Sequence, residues 1–146
     1  METDIIEKAK QKAIEANLPY AGDVTPQQAW QLHSTGQAKI VDVRTPEEYD
    51  LIGHVPGSVL VPWQIGNPRQ QNPEFLSEIK QLFRPDDKLL LLCRGAFRSV
   101  KAATALKQAG FTCAMNVLEG FEGKTNPDGL RGRINGWLFY QLPWEC

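Results

Sequence analysis

Four leucines and a cysteine, residues 89–93, form the longest unbroken apolar stretch in the chain, set off by the turn-like "RPDDK" before it and by polar residues after it. A continuous apolar run between turn signals predicts a strand covered on both faces, as in a parallel sheet. Other segments alternate around it. Ile5, Ile6, Ala9, Ala13, Ile14 and Leu18 recur at helical spacing with Lys and Glu between them, which predicts a helix over 4–17 packed on the domain. Thr25 as N-cap, Pro26 at the first helical position and Gly36 past the end mark a second helix. A strand is expected over 38–43. A short helix opening at Thr45 and Pro46 and stopping near Gly53 follows, then a strand over 59–61 closed by Pro62. Helices are expected over 73–83 and over 99–109. In the latter, Lys101, Thr104 and Gln108 form a wet stripe opposite the alanines, Val100 and Leu106. The segment "CAMNVLEG" reads as the last strand. Strands alternating with helices predict an α/β fold with a mainly parallel central sheet and helices on both faces. The division expected is an N-terminal helix over 1–22 and one domain over 23–146, irregular from about 122, with a last short helix over 134–142.

Composition adds limits. The 146 residues suit one domain with a real core, and 42% hydrophobic with 23% charged residues is an ordinary globular mix. A net charge of -1 gives no sign of a nucleic-acid or anionic-membrane partner, and no apolar run has the length of a membrane span. The acidic start lacks the basic and apolar regions of a secretory signal, so a cytoplasmic location is expected. The three cysteines, Cys93, Cys113 and Cys146, are too few and too far apart for a disulfide framework, and no C-x-x-C pair suggests a metal site. Neither a phosphate loop nor a dinucleotide fingerprint is present, so no cofactor is expected.

Within these limits one cysteine stands out. Ligands of open α/β sheets bind beyond the carboxyl ends of the strands, and Cys93 ends its strand there. Residues 94–99 lead to the next helix. Such a loop curls backbone N–H groups into an anion-binding nest, the helix N-terminus adds partial positive charge, and Arg94 and Arg98 add whole charges. Each favours thiolate over thiol at Cys93. The plainer alternative is a small hydrophobe finishing a core strand. Cys113 has no charge beside it and Cys146 is terminal. A Cys–His dyad is not favoured: His33 lies in a helix among polar residues, and His54 reads as a residue that shapes its own turn.

Taken together, the motifs resemble those of the rhodanese family. "VDVRTPEEY" from Val41, "GHVPGSVLVP" from Gly53, the loop "CRGAFRS" from Cys93, and "VLEGF" with the distant "GWLFYQLP" occur in the family's order, over roughly residues 24–143. The resemblance implies a sulfurtransferase with Cys93 as nucleophile. It takes the outer sulfur of a small anionic donor such as thiosulfate as a persulfide, then hands it to cyanide or to a thiol, protein thiols included. It implies Arg94, Gly95, Ala96, Phe97, Arg98 and Ser99 as the residues that hold the substrate. Asp42 and Arg44 are expected to pair and brace the loop ends without touching it. Glu47 and Glu48 are expected on a solvated helix face, and Lys124, Arg131 and Arg133 in a solvated loop by default, with the pocket mouth as the alternative. The loop departs from the family pattern in having Gly95 one place early, Ala96 at the usual glycine position, and Phe97. The other readings are a rhodanese-like binding module without catalysis and a phosphatase. The latter is disfavoured because four residues, not five, separate Cys93 from Arg98.

Overall fold

The computed structural model of the chain describes residues 2–95 and 97–146. Helix α1 (Glu2–Glu15), strand β1 (Gly22–Val24), helix α2 (Pro26–Ser34) and strand β2 (Lys39–Asp42) come first. A π-helical turn (Glu48–Ile52), strand β3 (Val59–Leu60) and a small hairpin of β4 (Gln64–Ile65) and β5 (Gln70–Gln71) follow. Helix α3 (Phe75–Leu82), strand β6 (Lys88–Leu92), helix α4 (Phe97–Gln108) and strand β7 (Cys113–Val117) complete the regular structure. The main sheet has the order β1-β7-β6-β2-β3 and every pairing in it is parallel. β6 is therefore central.

The alternation of side chains along β6 explains its leucine run. Leu90 and Leu92 face Ala29 and Leu32 of α2, with Ile6 and Ala9 of α1 in the same cluster. Leu89, Leu91 and Cys93 face Phe75 and Ile79 of α3 and Ala102, Ala103 and Leu106 of α4. With both faces covered, alternation of apolar and polar residues disappears, and each buried leucine contributes about 2 kcal/mol of transfer free energy. At α2, Thr25 accepts from the Gln28 backbone N–H and Gln28 accepts from the Thr25 N–H, a capping box that fixes the start of the helix.

Four expectations change. β1 and the β4–β5 hairpin are too short for a periodic signal, and a three-residue edge strand becomes visible only through its pairing with β7. Helix α4 begins at Phe97, not residue 99, so Phe97 and Arg98 belong to its first turn and not to the loop after Cys93. The expected helix over 134–142 is a series of turns. The Trp137 and Leu138 N–H groups donate to the carbonyls of Gly120 and Phe121, so they are spent on another segment instead of on helical bonds. Last, Glu48 is buried, not on a solvated face.

Candidate active site

Cys93 follows the last residue of β6, and only 1% of its surface is exposed. It lies in the lining of a cavity of about 700 Å³ beyond the carboxyl end of β6. Arg94 and Gly95 of the loop line the cavity, as do Phe97, Arg98 and Lys101 from the first turns of α4. The hairpin contributes Gln64 and Arg69, and the segment after β7 contributes Glu119, Lys124 and Arg131. Arg133 is not in the lining. Ala96 lies outside the described residues. The backbone N–H groups of Arg94, Gly95, Phe97 and Arg98 make no hydrogen bond to another described residue. Donors left open at a helix start are suited to an anion.

Arg94 and Arg98 differ. Arg94 is partly exposed, and its Nε lies 3.3 Å from Glu122 Oε2 as an ion pair without hydrogen-bond geometry. Arg98 is 8% exposed, and its guanidinium donates from Nη1 and Nη2 to both carboxylate oxygens of Glu48, at 2.7 and 3.0 Å. It braces the first turn of α4 against the π-helical turn, and its donors are committed to a protein carboxylate. Burial works against the charge of Arg98, but Glu48 more than offsets this and holds it above its ordinary value. Burial likewise would raise Glu48. The Arg98 hydrogen bonds, the Thr45 backbone N–H and the charges of Arg98 and Arg69 outweigh it and bring the carboxyl down to about 2.

Ser99 is fully buried and sits behind the sulfur instead of in the cavity. Its Oγ accepts from the Cys93 thiol at 3.2 Å and donates to Asn116 Oδ1 at 2.6 Å. Phe97 is an exposed wall of the cavity, and the ammonium of Lys101 lies 4.2 Å from its ring centroid, a cation–π contact. Asp42 and Arg44 are both fully buried and do not reach the cavity. Arg44 donates to both Asp42 oxygens and, through Nη2, to the Gly53 carbonyl at 2.6 Å, and its guanidinium lies 4.4 Å over the Phe121 ring. Together they tie the end of β2 to the turn at Gly53.

Sequence reasoning missed Glu48, Asn116, Arg69 and Lys101 as parts of the site. Two of these carried a signal. Thr45-x-x-Glu48 is a capping-box spacing, and the structure makes it one, with Thr45 N donating to Glu48 Oε1 and Glu48 N donating to Thr45 Oγ1. That box turns Glu48 inward. Asn116 is a lone polar residue in a fully buried strand, where an unpartnered amide would be costly. Arg69 comes from a hairpin that no pattern announces. His33 and His54 stand apart: Nδ1 of His33 accepts from Ile40 N–H and its Nε2 meets the Pro56 carbonyl, while His54 stacks on Tyr49.

Among the described residues no cluster suited to a metal ion occurs, and no helix is long and apolar enough to cross a membrane. Residues 25–126 match the model of the rhodanese-like domain. Over 85 residues the chain is 35% identical to thiosulfate sulfurtransferase 16, chloroplastic, of Arabidopsis thaliana, covering 57% of this chain and 70% of that protein. It is 36% identical over 85 residues to the senescence-associated protein DIN1 of Raphanus sativus, but there the match spans only 46% of the relative. The crystal structure of Rv0390 from M. tuberculosis superposes with a TM-score of 0.78 at 38% identity, covering 86% of this chain and 98% of that one.

Proposed function

The chain belongs to the rhodanese-like family, and we propose that it is a sulfurtransferase that carries a sulfane sulfur on Cys93. The observation that carries this reading is a single one. A cysteine lines a cavity that Arg69, Arg94, Lys101, Lys124 and Arg131 also line, beside N–H groups of residues 94, 95, 97 and 98 that have no acceptor among the described residues. A sulfur nucleophile among cations and open donors suits a reaction in which every species at the site is an anion.

In the proposed step the Cys93 thiolate attacks the outer sulfur of thiosulfate. A new S–S bond forms, the S–S bond of the donor breaks, and sulfite leaves with the electron pair. Negative charge passes from Sγ to the terminal sulfur of the persulfide, where the loop N–H groups receive it. An acceptor thiolate then attacks that terminal sulfur and regenerates Cys93. A cavity of about 700 Å³ exceeds what cyanide or thiosulfate fills, which favours a thiol that carries anionic groups of its own as acceptor. The phosphatase reading loses support, because Arg98 turns to Glu48.

Incubation with thiosulfate followed by intact-mass measurement tests the proposal. The expected result is a gain of one sulfur atom that disappears in Cys93→Ala. No gain in the unmodified protein, or a gain that survives the substitution, sinks the catalytic reading and leaves the binding module.

A further inference from the structure

Glu48 faces two guanidinium groups with one negative charge. Both of its oxygens accept hydrogen bonds from Arg98, and Oε1 also lies 3.4 Å from Nη2 of Arg69. The two contacts are not equal. Arg98 is nearly buried and fully engaged, whereas the Arg69 side chain is 44% exposed and makes no hydrogen bond to a described residue. Glu48 is held down to about 2, so it stays ionised at ordinary pH and its pair with Arg98 is neutral. Arg69 is then the unbalanced charge of the three. The fold aims it at the cavity. Trp63 N–H donates to the Val43 carbonyl just beyond β2, and Asn72 closes the base of the hairpin, its N–H on the Trp63 carbonyl at 3.0 Å and its Nδ2 on the Pro62 carbonyl at 2.9 Å. Arg69 immediately precedes β5 of that anchored hairpin and lines the cavity together with Cys93. A negative charge at Cys93 reaches Arg98, and Arg69 is one carboxylate away from Arg98. Other cations of the lining have partners of their own: Arg94 lies against Glu122, Arg131 donates to the Gly123 carbonyl at 2.6 Å, and Lys101 sits over the Phe97 ring.

We propose that Arg69 binds the oxyanion end of the sulfur donor, so that the site selects donors whose leaving group is an oxyanion, such as thiosulfate. The proposal rests on Cys93 as the nucleophile of the reading above. It moves the charged donor contact out of the segment 94–99, where the family resemblance places it, and onto the hairpin. The chemistry favours a cation there. When Cys93 sulfur attacks the outer sulfur, a new S–S bond forms and the S–S bond of the donor breaks. The electron pair of the broken bond stays on the departing SO₃ group, which gains negative charge. A guanidinium at that end is attracted more strongly as the bond breaks, so it assists the step as well as the binding. Its parallel N–H groups also match two oxygens of one oxyanion, which an ammonium does not. Glu48 holds Arg69 only by an exposed ion pair, so little is given up when a donor oxyanion takes its place.

Two rates at Cys93 test this in the full chain: mass gain with thiosulfate, and alkylation by iodoacetamide, a neutral reagent with no oxyanion to bind. Arg69→Ala should slow thiosulfate loading about tenfold and change alkylation by about twofold at most. Arg69→Lys should recover part of the loading, to within about threefold of the unmodified protein. Arg133→Ala removes the same charge from outside the cavity lining and should leave both rates unchanged. Unchanged loading in Arg69→Ala overturns the proposal. So does an equal fall of both rates, which would mark a structural role, or an equal loss of loading in Arg133→Ala, which would mark a general field. A third measurement needs no sulfur transfer. Inorganic sulfate, with ionic strength held constant by chloride, should protect Cys93 from iodoacetamide in the unmodified protein, and the protection should be lost in Arg69→Ala. Equal protection in both proteins overturns the oxyanion site. Protection that depends on Arg69, in a protein that thiosulfate does not load, leaves the oxyanion site standing and removes the sulfurtransferase reading.

Discussion

Strand β6 and the segment 118–146 meet at Cys93, and they build the site by opposite means. β6 is regular, buried on both faces and in register with β2 and β7 on either side. It sets where Cys93 stands. Among the described residues the later segment holds no helix and joins no sheet, its one bridge being His54 with Glu145. Yet it supports the loop from behind. Phe121 N–H donates to the Cys93 carbonyl at 2.8 Å, and Glu122 and Gly123 N–H groups both donate to the Arg94 carbonyl. Gly120 makes this close approach possible. It sits at φ +74°, and a Cβ there would collide with the Gly95 carbonyl oxygen and come within 2.6 Å of the Arg94 carbonyl carbon. Position comes from the strand, and the shape of the cup from an irregular segment whose backbone groups are spent on the loop.

The contrast can be broken from either side. Leu91→Ala in β6 should have the largest effect on the fold, a loss of about 4 kcal/mol in denaturant unfolding. Sulfur loading per folded molecule should hardly change. Glu48→Ala strands the buried Arg98 charge and should cost about 3 kcal/mol. The pH dependence follows in sign. The Glu48 carboxyl is lower in the folded protein, about 2, than its ordinary value of 4.5, so its contribution is complete above the ordinary value and is lost as pH falls toward 2. Acid unfolding of the unmodified protein should show this loss of about 3 kcal/mol, and Glu48→Gln should flatten it. Gly120→Ala should cost less stability, about 2 kcal/mol, yet slow sulfur loading at least tenfold, measured as the rate of mass gain with thiosulfate. That outcome would separate shaping the cup from holding the fold; normal loading would show that the loop does not need its backing. Arg131→Ala should have the smallest effect, a two- to threefold rise in KM for thiosulfate that shrinks at high salt, with kcat unchanged.

Much of this was legible in the chain. The apolar run marked the central strand, the Thr25 box marked α2, and "CRGAFRS" marked the loop, because these features are local: burial on two faces, a cap and a turn leave their trace within a few residues. Arg98 shows where local reading fails. Its charge and its closeness to Cys93 in the chain were visible, but its partner Glu48 lies 50 residues away, and only folding decides whether a cation faces substrate or a buried carboxylate. Arg69, Lys124 and Arg131 are similar, since each comes from a stretch without periodicity.

By itself, then, the sequence determined the layered α/β plan, the strand that carries Cys93 and the family of its loop, because apolar periodicity and cap chemistry act over one or two turns of chain. Tertiary structure alone decided that Arg98 is spent on Glu48, that Ser99 stands behind the sulfur and not in the cavity, and that residues 120–123 back the loop. Hydrogen bonds and ion pairs between distant segments exist only once the sheet has brought those segments together, and their direction depends on which donors the neighbours have already taken.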